Sequence, residues 1–235
     1  MHIRIKVKNN NKYYEIWEGR NRFVKHIGNE AAYQKYLKDV EKKERDLALL
    51  NGSKTPTPDM PQGKYDVIYA DPPWRYDFDV ESRATENHYP TLLVKDICKL
   101  KDSHKVKIQD VFDDNAILFL WGTAPKLNEA FEVIKAWGFI YKTNMIWVKD
   151  KIGLGWYCRN QHEILLISEK GDMPLPDAAV RPSSIKEYPR TTHSTKPNDY
   201  YDLIEKMYPD RNYLEVFGIK NKRPNWTVFG NQIYE

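Results

Sequence analysis

Residues Val67-Ile68-Tyr69-Ala70 run straight into Asp71-Pro72-Pro73-Trp74, and this junction restricts the fold more than any other stretch of the chain. From Tyr65 to Ala70 the composition is apolar and β-favouring with no helical period, the pattern of a strand buried on both faces of a parallel sheet. Pro72 and Pro73 then end the strand. Neither has an N–H, and each restricts the residue before it, so the chain should leave the sheet stiff and extended, with carbonyls free to accept hydrogen bonds. Asp71 thereby stands at the carboxyl end of a strand, where open α/β sheets bind their ligands. The alternative is an ordinary strand-end turn with a capping Asp and a packed Trp. Two rigid prolines between a carboxylate and a ring are an unusual way to make one.

With 235 residues, 41% of them hydrophobic, the chain can bury one full core and a small appendage. It contains no apolar run long enough to span a bilayer, and Met1 to Leu50 lack the apolar core of a signal peptide, so a cytoplasmic location is expected. Cys98 and Cys158 show no metal spacing and are expected as reduced thiols, and no metal is expected. The net charge of +4 is unevenly spread: residues 1–60 carry 13 Lys and Arg against 8 Asp and Glu, the remainder 24 against 25. A basic N-terminal segment attracts nucleic acid, or is simply a solvated surface.

Three short strands are expected in residues 2–27, where Ile3, Ile5 and Val7 alternate with Arg4, Lys6 and Lys8, followed by Tyr13 to Trp17 and Phe23 to Ile27. A helix should run from Gly28-Asn29-Glu30 to about Leu50. This gives a β-hairpin-plus-helix module over 1–50, a polar, proline-broken linker over 51–62, and a main domain over 63–235. In the main domain, strands at 116–121, 139–148, 161–168, 213–217 and 227–229 alternate with helices at 92–100, 125–137 and 196–208, which argues for an α/β sheet. Residues 75–90 and 149–160 are expected as loops and 169–195 as a long irregular segment.

An exocyclic amine on a nucleobase is a poor nucleophile because its lone pair is delocalised into the ring. Asp71 and the Pro72 carbonyl can each accept one of its N–H bonds and free that pair, while Trp74 stacks on a base flipped out of its strand. Glu215 and Gly218 at a second strand end fit a nucleoside-bearing cofactor, although a core strand closed by glycine would look the same. Lys196-Pro197 opens a helix, a position that suits a nearby anion and equally suits a solvated lysine. His162 and Glu163 are neighbours in a strand and face opposite ways, so one of them is structural. The chain has no Gly-x-Ser-x-Gly elbow, Walker lysine loop or G-x-G-x-x-G element.

Taken together, these residues resemble the MT-A70 family of S-adenosylmethionine-dependent N6-adenine methyltransferases, which includes the catalytic subunit of the eukaryotic mRNA adenosine methyltransferase and many bacterial and phage DNA adenine methyltransferases. The resemblance runs through Tyr65 to Trp74, Leu118 to Trp121, Trp137 to Phe139, Ile146 to Lys149, Gly153 to Glu163, Arg181 to Ser184, His193 to Pro197, Asn225-Trp226 and Gly230 to Gln232. It implies a Rossmann-like seven-stranded sheet of the permuted β-class and the cofactor S-adenosylmethionine. Catalysis would rest on Asp71, Pro72, Pro73 and Trp74. Asp71, Lys196, Glu215, Phe217, Gly218, Asn231 and Gln232 would hold the cofactor, and Trp74, Tyr89, Arg159, Asn160 and Glu163 the substrate. Many relatives place an arginine after the glycine of the cofactor strand; here Ile219 stands there, and Lys220, Asn221 or Lys222 would substitute.

The expected activity is methyl transfer to the N6 amine of adenine in a polynucleotide, with DNA favoured over RNA because the catalytic domain stands nearly alone. The basic N-terminal module would hold the polynucleotide backbone. A homodimer or a heterodimer with a related subunit is compatible with this reading. The competing expectation is a nucleic-acid-binding partner subunit with little activity of its own.

Overall fold

In the computed structural model, the alternating N-terminal residues form an antiparallel sheet of strands β1 (His2–Lys8), β2 (Asn11–Glu18) and β3 (Arg22–Gly28). Helix α1 follows, its described part spanning 30–36, and Asn29 caps it by accepting the Ala32 N–H at 3.1 Å. Tyr14 of β2 stacks on Tyr33 of α1 with ring centroids 4.0 Å apart. The structure describes residues 2–8, 11–18, 22–36, 58–76, 91–155, 157–190, 196–218 and 223–230. The helix expected between 37 and Leu50, most of the expected linker, Tyr89, Ile219, Lys220, Asn221, Lys222, Asn231 and Gln232 lie outside those residues.

The chain divides into two compact units, Met1–Lys54 and Thr55–Glu235. Met60, within the stretch read from sequence as linker, belongs to the core of the second, 8% exposed with its N–H held by Asp102 at 2.9 Å. The strands of this unit are β4 (Tyr65–Ala70), β5 (Phe112–Gly122), β6 (Ile140–Val148), β7 (His162–Lys170), β8 (Ile185–Glu187), β9 (Tyr213–Val216) and β10 (Trp226–Phe229). They form one seven-stranded sheet in the order β10-β9-β4-β5-β7-β6-β8. All pairs are parallel except the two made by β7, which runs against both β5 and β6.

Helices α2 (Val94–Cys98), α3 (Leu127–Ala136) and α4 (Asp199–Met207) cover the sheet. Even-numbered residues such as Ile68, Ala70, Leu118, Leu120, Leu214 and Val216 pack in one core with Ile97 of α2 and Ala130, Val133 and Ile134 of α3. Odd-numbered Val67, Tyr69, Ile117, Phe119 and Trp121 pack in a second core with Tyr200, Tyr201 and Ile204 of α4. This is the three-layer α/β, Rossmann-like arrangement expected from the sequence, and it explains why β4 shows no polar alternation: both faces are covered. Each fully buried aliphatic side chain contributes about 1.5–3 kcal/mol, so the central strands dominate the stability.

Sequence reasoning missed β8, inside the segment expected to be irregular. Its burial pattern has no inward-facing side, Ile185 being 55% exposed, and it is held by backbone pairing to β6 at the sheet edge. Strand β5 also begins four residues before the expected Ala116, because Phe112 pairs with Tyr65 while the intervening polar residues stay on the strand. Two features then locate the site. Chain order leads from β4 outward to β5 on one side and from β9 outward to β10 on the other, so the connections diverge between β4 and β9, a topological switch point. Because β7 is reversed, its first residues arrive at the sheet edge where β4, β5, β6 and β9 end.

Candidate active site

Asp71 follows directly on β4, and its N–H continues the pairing to Val216 of β9 at 3.3 Å. The prolines after it shape a tight path rather than a free one: the Trp74 N–H bonds the Pro72 carbonyl at 2.8 Å, and the Leu92 N–H bonds the Pro73 carbonyl at 2.8 Å. The expectation that both carbonyls are free is therefore corrected. Proline cannot donate, so neighbouring N–H groups fold back onto these acceptors; each carbonyl keeps a second lone pair. Trp74 is 4% exposed and its indole N–H reaches the Trp121 carbonyl at 3.1 Å, so most of the ring is spent anchoring the loop to β5.

Four charged side chains form an alternating chain at this sheet edge. Lys196, three residues before the start of α4, lies 2.6 Å from Asp71 Oδ2 and 3.3 Å from Glu163 Oε2. Glu163, on the reversed β7, is also hydrogen-bonded to Lys149 at the end of β6. An aromatic floor supports the cations, Lys196 sitting 5.4 Å from the Trp121 ring centroid and Lys149 4.9 Å from that of Trp147. Side-chain exposure is 33% for Asp71, 11% for Lys196 and 16% for Glu163, so Asp71 is the member presented to an incoming ligand.

Burial opposes the charge on Lys196, but Asp71 and Glu163 outweigh it and hold the ammonium above its ordinary range. Burial likewise opposes ionisation of Glu163, yet Lys196 and Lys149 hold its carboxyl below the ordinary value of 4.5. A carboxylate depressed in the folded state contributes stability above its unfolded pKa and loses it as pH falls through the depressed value. Wild type should therefore lose stability on acidification below about pH 4.5 more steeply than Glu163→Gln. Denaturant titrations across pH 2–6 read this, and parallel acid arms would refute it.

Glu215, next to last in β9, faces the α4 side, is 9% exposed, and accepts the Tyr201 hydroxyl at 2.7 Å. Phe217 takes a left-handed backbone, φ 69°, held by its N–H to Phe229 at 2.6 Å and by stacking on Trp137. Such a conformation in a bulky residue is a strained one, of the kind concentrated at ligand sites. Gly218 and Gly230 close the ends of β9 and β10 back to back: a Cβ on Gly230 would overlap the Gly218 carbonyl, and one on Gly218 would run into Val228 and Glu215. The two strand ends approach this closely only as glycines.

The structure thus brings Asp71, Lys196 and Glu163 together beside the Glu215–Gly218 strand end. Arg159 and Asn160 make their hydrogen bonds inside their own loop: Arg159 donates to the Gly153 carbonyl at 3.2 Å, and Asn160 exchanges backbone bonds with Gly153 and Leu154. Lys149, Trp121 and Tyr201 were missed as site residues. Trp121 and Lys149 lie within stretches that carry the family resemblance, whereas Tyr201 sits in α4 with no local signal beyond that of a core aromatic.

A family model described as MT-A70 matches residues 65–232. The chain belongs to the MT-A70 family. Among MT-A70 relatives it is 33% identical over 195 residues to the type II methyltransferase M.MunI of a Mycoplasma species, covering 75% of this chain and 81% of that protein. It is 29% identical over 180 residues to the human N(6)-adenosine-methyltransferase catalytic subunit METTL3, and 27% identical to a Drosophila melanogaster N(6)-adenosine-methyltransferase MT-A70-like protein. Those alignments cover 73% of this chain but only 28% and 27% of the two longer proteins. The MT-A70 match therefore includes β4 to β10 and leaves the N-terminal sheet outside it.

Proposed function

We propose that this MT-A70 methyltransferase transfers a methyl group from S-adenosylmethionine to the exocyclic N6 amine of adenine in a polynucleotide, DNA in preference to RNA. The observation that carries the reading is the Lys196–Asp71 pair, 2.6 Å apart at the switch point of the sheet. An α-amino acid group has an ammonium and a carboxylate, and Asp71 as acceptor and Lys196 as donor are the complementary pair for it; Glu215, Phe217 and Gly218 would border the nucleoside. When bound, the cofactor supplies an electrophilic methyl group on a sulfonium. The chain's own residues do the positioning, which is most of the catalytic task.

Asp71 accepts one amine N–H through its carboxylate, and the second lone pair of the Pro72 carbonyl accepts the other, so nitrogen is drawn out of conjugation toward the acceptor geometry. Glu163 holds Lys196 against Asp71, fixing the rotamer of the carboxylate. The methylated amine is acidic enough to lose its proton afterward, so Asp71 acts as an acceptor rather than a strong base. Trp74 walls the base pocket through its edge. The basic N-terminal unit is read as an arm on the polynucleotide backbone, supplying affinity without sequence information.

The DNA preference is supported by the likeness to the type II methyltransferase M.MunI, which is 33% identical against 29% for METTL3. The test is expression of the protein followed by mapping of N6-methyladenine in host DNA and RNA. Methylation at a defined DNA motif is expected. Methylation confined to RNA would reverse the substrate, and none in either would reject the activity and favour a partner-subunit role.

A further inference from the structure

On the α2–α3 side of the sheet edge, away from Lys196, the chain leaving β4 and the turn leaving β5 enclose an open cavity of about 430 Å³. Arg75, Leu93, Val94, Lys95, Lys126 and Glu129 line it, three cations against one carboxylate. Residues 61–235 carry 24 Lys and Arg against 25 Asp and Glu, so this concentration of positive charge is local rather than a property of the whole unit. None of these side chains has a role in the methyl-transfer geometry above.

The cavity is attached to the catalytic loop. Arg75 directly follows Trp74, and its N–H bonds the Leu92 carbonyl at 3.3 Å while Leu92 bonds back to Pro73, so the Pro-Pro-Trp path also fixes Arg75. Lys126 lies just past β5, 2.9 Å from Glu129 and 5.6 Å from the Tyr76 ring centroid, and the Tyr76 hydroxyl is hydrogen-bonded to Thr123. Glu129 thus orients Lys126 while leaving ammonium protons for another acceptor. Lys95 is exposed at the rim.

We propose that this cavity seats a backbone phosphate of the polynucleotide next to the target adenine. The inference rests on the proposed adenine-methylating activity. A flipped nucleotide leaves its phosphates in the strand, outside the base pocket, so a base delivered to Asp71 needs cations at the rim. Arg75 is four residues from Asp71, a span of at most about 14 Å along the chain. A guanidinium fork beside an ammonium suits the tetrahedral oxygens of a phosphodiester.

The experiment compares wild type, Arg75→Gln, Lys126→Gln and the double variant on an adenine-containing oligonucleotide, reading kcat, KM and the salt dependence of binding by fluorescence anisotropy. Each single variant should raise KM about tenfold with kcat within about twofold, as expected for uniform binding. The log–log salt slope should flatten by about one unit per lost contact. Glu129→Gln should tighten binding, which a merely structural role for the Lys126 pair would not do. A methylphosphonate at the contacted phosphate should erase the difference between wild type and the double variant. Unchanged KM and salt slope in the double variant, with methyl transfer intact, would overturn the proposal. So would direct binding of inorganic phosphate that Arg75→Gln and Lys126→Gln weaken while polynucleotide binding stays unchanged, which would make the cavity a free-anion site. The anisotropy arm needs no turnover, so it tests the cavity even if no polynucleotide is methylated, an outcome that rejects the activity instead.

Discussion

Asp71→Ala should lower methyl transfer to adenine by about 10³-fold, the loss typical of removing a preorganised polar group that contacts the reacting centre. The fall should be in kcat more than in KM for the polynucleotide, because the backbone contacts are untouched. Folding should survive: Lys196 keeps Glu163 at 3.3 Å, and Asp71 is the most exposed member of the charge chain. Radiolabelled methyl transfer read beside thermal unfolding distinguishes the outcomes, with Tm expected within about 4 °C of wild type. Activity within tenfold of wild type would remove Asp71 from the site.

Lys196→Met should damage both stability and cofactor binding. It leaves Asp71 and Glu163 facing one another across the space the ammonium occupied, and Glu163 is mostly buried. Breaking a buried pair by deleting one partner costs about 3–5 kcal/mol. For a chain of this size that corresponds to a Tm lower by roughly 10 °C. Calorimetric titration of S-adenosylmethionine should show affinity reduced about 10- to 100-fold, the worth of a hydrogen bond to a charged group. The stability deficit should shrink on acidification, since protonating the two carboxylates removes their repulsion. Lys196→Arg should recover part of the stability and less of the affinity, because a guanidinium fork cannot occupy the point between both carboxylates. Unchanged Tm and unchanged cofactor titration in Lys196→Met would show that the pair is incidental.

Both effects depend on residues whose importance was visible at different levels. Asp71 stood out in the sequence because two prolines leave few backbone conformations open, so a local stretch carried most of its own geometry. Lys196 was ambiguous from sequence, since a helix-start lysine has the same local appearance whether it meets an anion or solvent. Glu163 was one of two adjacent candidates with His162, and the reversed direction of β7 decided between them by bringing Glu163 beside Lys196 and Lys149. Trp74 went the other way: a ring expected to stack on a base is largely consumed by the Trp121 carbonyl and the core.

By itself, the sequence determined the α/β class, the buried central strand β4 and its stop at Asp71, because backbone restriction and hydrophobic period are local properties. Only the tertiary structure decided the charge chain from Asp71 through Lys196 and Glu163 to Lys149, and the cationic cavity around Arg75 and Lys126. Those groups are brought together by strand order and strand direction, with Asp71 and Lys196 separated by 125 positions along the chain. Electrostatic partnership depends on distance in space and on burial, and neither can be assigned until the sheet has been assembled.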